Sequence, residues 1–72
     1  MKKFSVVIAH RHATSISLEE EFYHALIALA KEQNLPLNAL ITKIDSTRNK
    51  DNLSSALRVY ILKALQEKLN TY

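Results

Sequence analysis

Residues 12–22 read His-Ala-Thr-Ser-Ile-Ser-Leu-Glu-Glu-Glu-Phe, and the hydrophobic period changes within this stretch. Up to Leu18 the apolar and β-branched side chains alternate with small polar ones, which is the period of a half-buried β-strand. Three consecutive glutamates follow, and carboxylates favour the first turn of a helix. The stretch therefore predicts a strand over residues 12–18 and a helix over residues 18–33, with Ser17 as the N-cap.

The end of the first helix is predicted at Asn34, in a tight connection to a second helix. Asparagine is the best non-glycine residue for the left-handed conformation that often ends a helix. Pro36 suits the first turn of the next helix, because its missing N–H needs no partner there. Apolar residues at helical spacing then predict this second helix over residues 36–46.

A third helix is predicted over residues 52–68, with Asp51 or Asn52 as its N-cap. Its apolar stripe comprises Leu53, Ala56, Leu57, Tyr60, Ile61, Ala64 and Leu65. Val59 and Leu62 lie off that stripe, so the helix carries a second apolar face. In so small a chain, a second apolar face predicts contact with another chain.

The composition excludes several classes of protein. The chain has 72 residues, no cysteine and no glycine, which excludes disulfides, thiolate zinc sites and glycine-rich nucleotide-binding loops. No apolar run approaches the roughly 18–20 residues of a membrane span. The apolar run near the N-terminus is also shorter than the roughly 7–15 residues of a secretion signal. The sequence therefore predicts one cytoplasmic domain, with no membrane partner, that oligomerises for stability.

Positive charge is concentrated near the N-terminus. The formal net charge is +3, and residues 1–18 carry all of it as Lys2, Lys3 and Arg11, without an acidic residue. A basic segment on an otherwise neutral chain is the electrostatic pattern of a polyanion binder. A solubilising N-terminus explains the charge equally well.

The strand over residues 12–18 needs a pairing partner, because a single strand with one apolar face is not stable alone. Residues 4–9 show a weaker alternation, so the segment 1–10 is either an N-terminal arm or an extra strand. If this segment does not pair with residues 12–18, a second copy of the chain does, as an antiparallel ribbon about a two-fold axis. Such a two-stranded ribbon fits the DNA major groove.

The order strand, helix, helix, with the stretches 14–22 and 34–40, resembles the ribbon-helix-helix family of DNA-binding transcriptional repressors. Residues 52–60 look like a variant of that family with an extra C-terminal helix. The resemblance implies a mainly α fold with a short β-ribbon and an intertwined homodimer. The residues expected in the dimer core are Thr14, Ile16, Leu18, Phe22, Leu26, Leu40, Ile41 and Ile44.

The resemblance also implies how such a dimer binds double-stranded DNA. Alternating outward side chains of the ribbon read base edges, and the N-terminus of the second helix holds a phosphate, as helix N-termini bind anions. Carried over to this sequence, the base-facing positions are Arg11, Ala13, Ser15 and Ser17. The expected phosphate contacts are Lys2, Lys3, Pro36, Leu37 and Asn38.

Two functions remain open on the sequence, besides non-specific coating of nucleic acid through Lys2, Lys3 and Arg11. The first is a small homodimeric DNA-binding regulator, either a repressor or an autoregulator. The second is a protein–protein interaction module, antitoxin-like or regulator-binding, that keeps the dimer fold and binds a partner through the third helix. Ala13 and Pro36 favour this second function, since the family often has a long polar side chain and a hydroxyl cap at these positions. The third helix either braces a dimer or joins dimers into tetramers.

No group of residues predicts an enzyme, a cofactor or a metal site. His10 and His12 share one face of the predicted strand, but two imidazoles alone make a weak metal site. The glutamates at 19–21 point in different directions on a helix, so they do not form a catalytic pair. A chain of 72 residues also leaves little room for a catalytic pocket.

Overall fold

The computed structural model describes residues 1–8, 12–48 and 52–70. These residues form two strands followed by three helices, which confirms the predicted mainly helical fold with a short ribbon. The elements are β1 (Lys2–Ile8), β2 (His12–Leu18), α1 (Glu20–Glu32), α2 (Leu37–Thr47) and α3 (Leu53–Leu69).

The first strand, β1, is the pairing partner that β2 requires. The two strands pair antiparallel over their whole length, from Lys2 opposite Leu18 to Ile8 opposite His12. The N-terminal segment is therefore a strand, and the ribbon is formed within one chain. In the described part of the chain the sheet has these two strands, so the second edge of β2 pairs with no strand there.

The core lies between the ribbon and the three helices. Seven side chains from β2 and all three helices are less than 2% exposed: Ile16, Leu18, Leu26, Leu40, Ile41, Leu57 and Ile61. Full burial of one such side chain stabilises the fold by about 1.5–3 kcal/mol. Six of the eight positions expected in a dimer core are thus buried inside a single chain, while Thr14 and Phe22 are half-buried.

The first helix, α1, begins two residues later than predicted, and Ser17 is not its N-cap. Ser17 belongs to β2 opposite Lys3, and Glu19 is the N-cap without a side-chain hydrogen bond. Pairing with β1 and the complete burial of Leu18 keep the chain extended up to that residue. The acidic first turn remains as predicted, with Glu20 and Glu21 near the positive end of the helix dipole.

Two predicted caps are confirmed. Asn34 has a φ of 57°, the left-handed conformation that ends α1. Asn52 caps α3, since its side-chain oxygen accepts a hydrogen bond from the Ser55 N–H at 2.8 Å. Pro36 is the N-cap of α2 and so precedes the first turn in which it was predicted.

The C-terminal turns of α3 are only partly covered. Leu65, which the apolar spacing assigned to the buried stripe, is 45% exposed, and Leu69 is 72% exposed. The prediction for Leu65 is wrong because no described element packs over that side of the last turns. Val59 and Leu62 lie off the buried stripe as predicted and are 46% and 55% exposed.

The outer edge of β1 is engaged by α2 at Val7. The Asn38 side-chain oxygen accepts a hydrogen bond from the Val7 N–H, and the Asn38 amide donates one to the Val7 carbonyl, both at 2.8 Å. An open strand edge is a template for unwanted pairing. We call this pair of hydrogen bonds the Asn38 clamp. It blocks the outer edge of β1 at Val7, whereas no described element is hydrogen-bonded to the outer edge of β2.

The variant Asn38→Ala is expected to lower the free energy of unfolding by about 1–2 kcal/mol, because two hydrogen bonds of about 0.5–1.5 kcal/mol each are lost. Urea denaturation followed by circular dichroism measures this change. Ser46→Ala on the same helix is the control, since the Ser46 hydroxyl donates to the carbonyl of Lys43 within its own helix. The control should lose less than about 0.5 kcal/mol. Equal losses in the two variants would contradict a stabilising role for the clamp.

Candidate nucleic-acid interface

The outward face of the ribbon consists of alternate residues from both strands, because successive side chains of a strand point to opposite faces. The residues on this face are Lys3, Ser5 and Val7 of β1, which lie opposite Ser17, Ser15 and Ala13 of β2. Ser17 is half-buried and the other five are exposed. The face is built mostly of small side chains, contains no acidic residue and carries the charge of Lys3.

The open edge of β2 exposes main-chain groups of the same outward residues. Val7 directs its N–H and C=O to Asn38, so Val7 and Ala13 form a non-hydrogen-bonded pair. Hydrogen-bonded and non-hydrogen-bonded pairs alternate along antiparallel strands. The N–H and C=O groups of Ala13, Ser15 and Ser17 therefore point away from β1, and no described residue bonds to them. This edge is able to bond a further strand.

A groove of about 700 Å³ runs along the open edge of β2. Ser15 and Ser17 line it from the strand, and Ser54 and Arg58 line it from α3. Most of its remaining lining residues are polar as well. The groove leaves the edge of β2 accessible from solvent, with the N-terminal turns of α3 beside it.

An ion pair joins the end of β2 to α3. Arg58 donates from Nε to Glu19 Oε1 at 2.9 Å and from Nη2 to Oε2 at 3.4 Å. The hydrogen bond from Arg58, followed by a backbone hydrogen bond at Glu19, holds the pKa of the Glu19 carboxyl below its ordinary value. Because the pair is well exposed to solvent, its contribution to stability is modest. The contact fixes the direction of the Arg58 side chain at the groove.

The variant Glu19→Gln is expected to show a weaker loss of stability in acid than the wild type. A carboxyl whose pKa is lowered by folding stabilises the fold when ionised. That contribution is complete above the ordinary glutamate pKa of about 4.3, and it is lost as the pH falls through the lower folded-state value. Urea midpoints measured on both sides of this window test the difference. Glu21→Gln, also exposed near the start of α1, is the control. An acid dependence in Glu19→Gln equal to that of the wild type would contradict the expectation.

The structure brings together some of the residues predicted to contact DNA and separates others. Ala13, Ser15 and Ser17 share the outward face with Lys3. The register assigns Lys2 to the helix-facing side, and its ammonium lies 5.4 Å from the centre of the Tyr23 ring in a cation–π contact. The predicted base contact Arg11 lies outside the described residues.

The start of α2 lies at the outer edge of β1. Pro36 has no N–H, Leu37 is half-buried and the Asn38 side chain is engaged with Val7. The first main-chain N–H groups of α2 are therefore what this segment offers to an anion. No local pattern predicts the Asn38 clamp, because its two residues are 31 positions apart. The outward position of Ser5 had a signal, namely the alternation of residues 4–9.

The described ranges contain neither a cluster of metal-ligating side chains nor a membrane-spanning helix. No group of three or more histidine, cysteine, aspartate or glutamate residues there is placed to hold a metal ion. His10, which forms a pair with His12 in the sequence, lies outside those ranges. No helix in the same ranges has both the length and the apolar character to cross a membrane.

A two-stranded antiparallel ribbon that leads into a pair of helices is the arrangement of a ribbon-helix-helix domain. The chain matches the family model of the ribbon-helix-helix domain over residues 1–65 and belongs to that family. The match confirms the resemblance seen in the sequence, and it includes β1 and most of α3. Members of the family are commonly DNA-binding regulators or antitoxins. Comparisons with curated proteins and with solved structures found no match.

Proposed function

We propose that this chain is a homodimeric DNA-binding transcriptional regulator, a repressor or autoregulator, that inserts β2 into the major groove. The observation that carries the proposal is the open edge of β2 beside an exposed face without acidic residues. The family supports it, since its members typically form dimers and bind DNA. The mechanism is occupation of an operator, and it requires no cofactor.

Two β2 edges paired about a two-fold axis would give a four-stranded sheet in the order β1–β2–β2–β1. With strands about 4.8 Å apart, the two outer strands are about 14 Å apart, whereas the major groove is about 12 Å wide. The central β2 strands would therefore enter the groove, and the β1 strands would lie over its rims. Base edges would then face Ala13, Ser15 and Ser17, with Arg11 next in the alternation.

Phosphate contacts would come from the outer parts of this sheet. Lys3 points outward from β1, and Lys2 adds a second positive charge at the same end of the strand. The start of α2, at residues 36–38, would lie beside the rim and offer main-chain N–H groups to a phosphate. Each lysine that neutralises a phosphate should steepen the dependence of the logarithm of affinity on the logarithm of salt concentration by about one unit.

Fluorescence anisotropy tests this function with two duplexes, one from upstream of the chain's own gene and one with the same bases scrambled, each at two salt concentrations. The expected result is tighter binding to the upstream duplex by about 10³-fold or more, with a steep loss at higher salt. No binding to either duplex at low salt would refute the proposal. Equal affinity for both would identify a non-specific DNA binder and contradict operator recognition.

A second function, an antitoxin-like or regulator-binding interaction module, is favoured by one observation. The Asn38 clamp occupies a side chain that a DNA-reading member would direct at a phosphate. Such a module would bind its partner through α3 and would not bind DNA. Charged substitutions at Val59 or Leu62 would then abolish partner binding, whereas a substitution at Ser15 would not change it.

A further inference from the structure

An exposed stripe of leucines on α3 begins one helical turn beyond Arg58, which lines the groove beside β2. Leu62, Leu65 and Leu69 are spaced by three and four residues and therefore lie on one side of the helix. All three are large exposed hydrophobic residues. Arg58 lies four residues before Leu62, on the same side, and it lines the groove along the open edge of β2. We call Leu62, Leu65 and Leu69 the leucine stripe.

A dimer paired only through the two β2 edges would lack the side-chain surface that a stable dimer needs, and the leucine stripe is an exposed surface that could supply it. Specific stable interfaces bury roughly 800 Å² on each partner. The core residues that an intertwined dimer would share are already buried inside one chain, and the edge of one short strand offers mainly main-chain groups. Six large hydrophobic side chains are exposed in the described part of the chain, and three of them form the leucine stripe.

The leucine stripe has the pattern of a helix-pairing surface. Spacings of three and four residues are those of a coiled-coil seam. A two-fold axis places the same surface on both partners, so one stripe is able to pack against a second copy of itself. Arg58, at the groove end of the stripe, is already paired with Glu19. When a second copy covers this surface, the Arg58 charge therefore keeps the Glu19 carboxylate as its partner.

We propose that α3 braces the homodimer, with the leucine stripe of one chain packed against that of a second copy about the axis that pairs the two β2 edges. This inference rests on the dimer of the proposed function and does not depend on DNA binding. The occupant is a second copy of this chain because the stripe begins one helical turn after Arg58, which lines the groove along the open edge of β2, so a partner that pairs with this edge also reaches the stripe.

Sedimentation equilibrium of the full chain tests the brace with the double variant Leu62→Glu, Leu65→Glu. The wild type is expected to be a dimer, and the variant is expected to dissociate at least about 100-fold more readily, because four carboxylates would meet in the interface. Lys63→Glu is the matched control, since Lys63 is exposed on the same helix beside the stripe. It should keep the wild-type dissociation constant. Far-UV circular dichroism checks that all three proteins are folded.

A second measurement avoids any doubt about the folding of the charged variant. The chain has no cysteine, so Leu65→Cys introduces a single thiol. Under mild oxidation Leu65→Cys should form a disulfide-linked dimer, whereas Lys63→Cys should remain largely unlinked. Linking of the two variants to the same extent would overturn the proposal.

The outcomes separate the brace from the proposed function. A double variant that dimerises like the wild type would overturn the brace and leave the β2 dimer in place. A wild-type tetramer that the double variant converts to a dimer would assign the leucine stripe to a contact between dimers, and this also overturns the brace. A wild type that is monomeric at micromolar concentrations would refute the homodimer of the proposed function itself.

Discussion

The variant Leu57→Ala is expected to lower the free energy of unfolding by about 3–4 kcal/mol, the range for removing a buried leucine side chain and leaving a cavity. Leu57 has no exposed surface and lies in α3, where the helix packs on the core. A core in a chain of this size supplies roughly 3–5 kcal/mol. Much of the variant population should therefore be unfolded at room temperature, as urea and thermal denaturation would show.

The matched control for Leu57→Ala is Val59→Ala on the same helix. Val59 is 46% exposed, and its substitution should cost less than about 1 kcal/mol. Two variants of equal stability would mean that α3 is an appendage that the rest of the fold does not need. The expected difference would instead make α3 part of the core, although it lies beyond the ribbon and the first two helices.

The elements with a clear hydrophobic period were predictable from the sequence. The predicted bounds of β2 coincide with the observed His12–Leu18, and those of α3 differ by one residue at each end. The left-handed Asn34 was also predictable, because the chain has no glycine for that position. Periodicity and cap chemistry are local properties, so neighbouring residues are sufficient to show them.

The remaining features of the fold depend on contacts between distant residues. Residues 4–9 were equally compatible with an arm and a strand until pairing with β2 decided between them. Ser17 has the sequence context of a cap, but its position opposite Lys3 keeps it in the strand. Leu65 continues the spacing of the buried stripe, and its exposure depends on how far the neighbouring elements reach along α3.

The candidate interface was predictable on one strand alone. Ala13, Ser15 and Ser17 face outward because the alternation within β2 requires it. The addition of Lys3 and Ser5 from β1 depends on the register between the strands. The accessible edge, on which the proposed dimer depends, follows from the Asn38 clamp on β1, a contact between residues 31 positions apart.

The variant Ser15→Glu is expected to weaken binding to the upstream duplex by at least about 100-fold, which corresponds to about 2.8 kcal/mol. Ser15 is exposed on the outward face, opposite Ser5 of β1. A homodimer would carry two of the new carboxylates into the major groove, between rows of phosphates. Each carboxylate would lose hydration without gaining a positive partner, and such burial of a charge costs several kcal/mol.

The control for Ser15→Glu is Ala28→Glu, which adds the same charge at an exposed position of α1. Because the helices pack on the apolar face of the ribbon, Ala28 lies across the sheet from the outward face. Its charge would act on DNA only at long range, where salt at about 0.1 M screens interactions beyond about 10 Å. Anisotropy at that salt concentration should therefore show a large loss for Ser15→Glu and a small one for Ala28→Glu. Equal losses of affinity in the two variants would show that the effect comes from net charge alone. No loss in either variant would exclude the outward face of β2 as the surface that binds DNA.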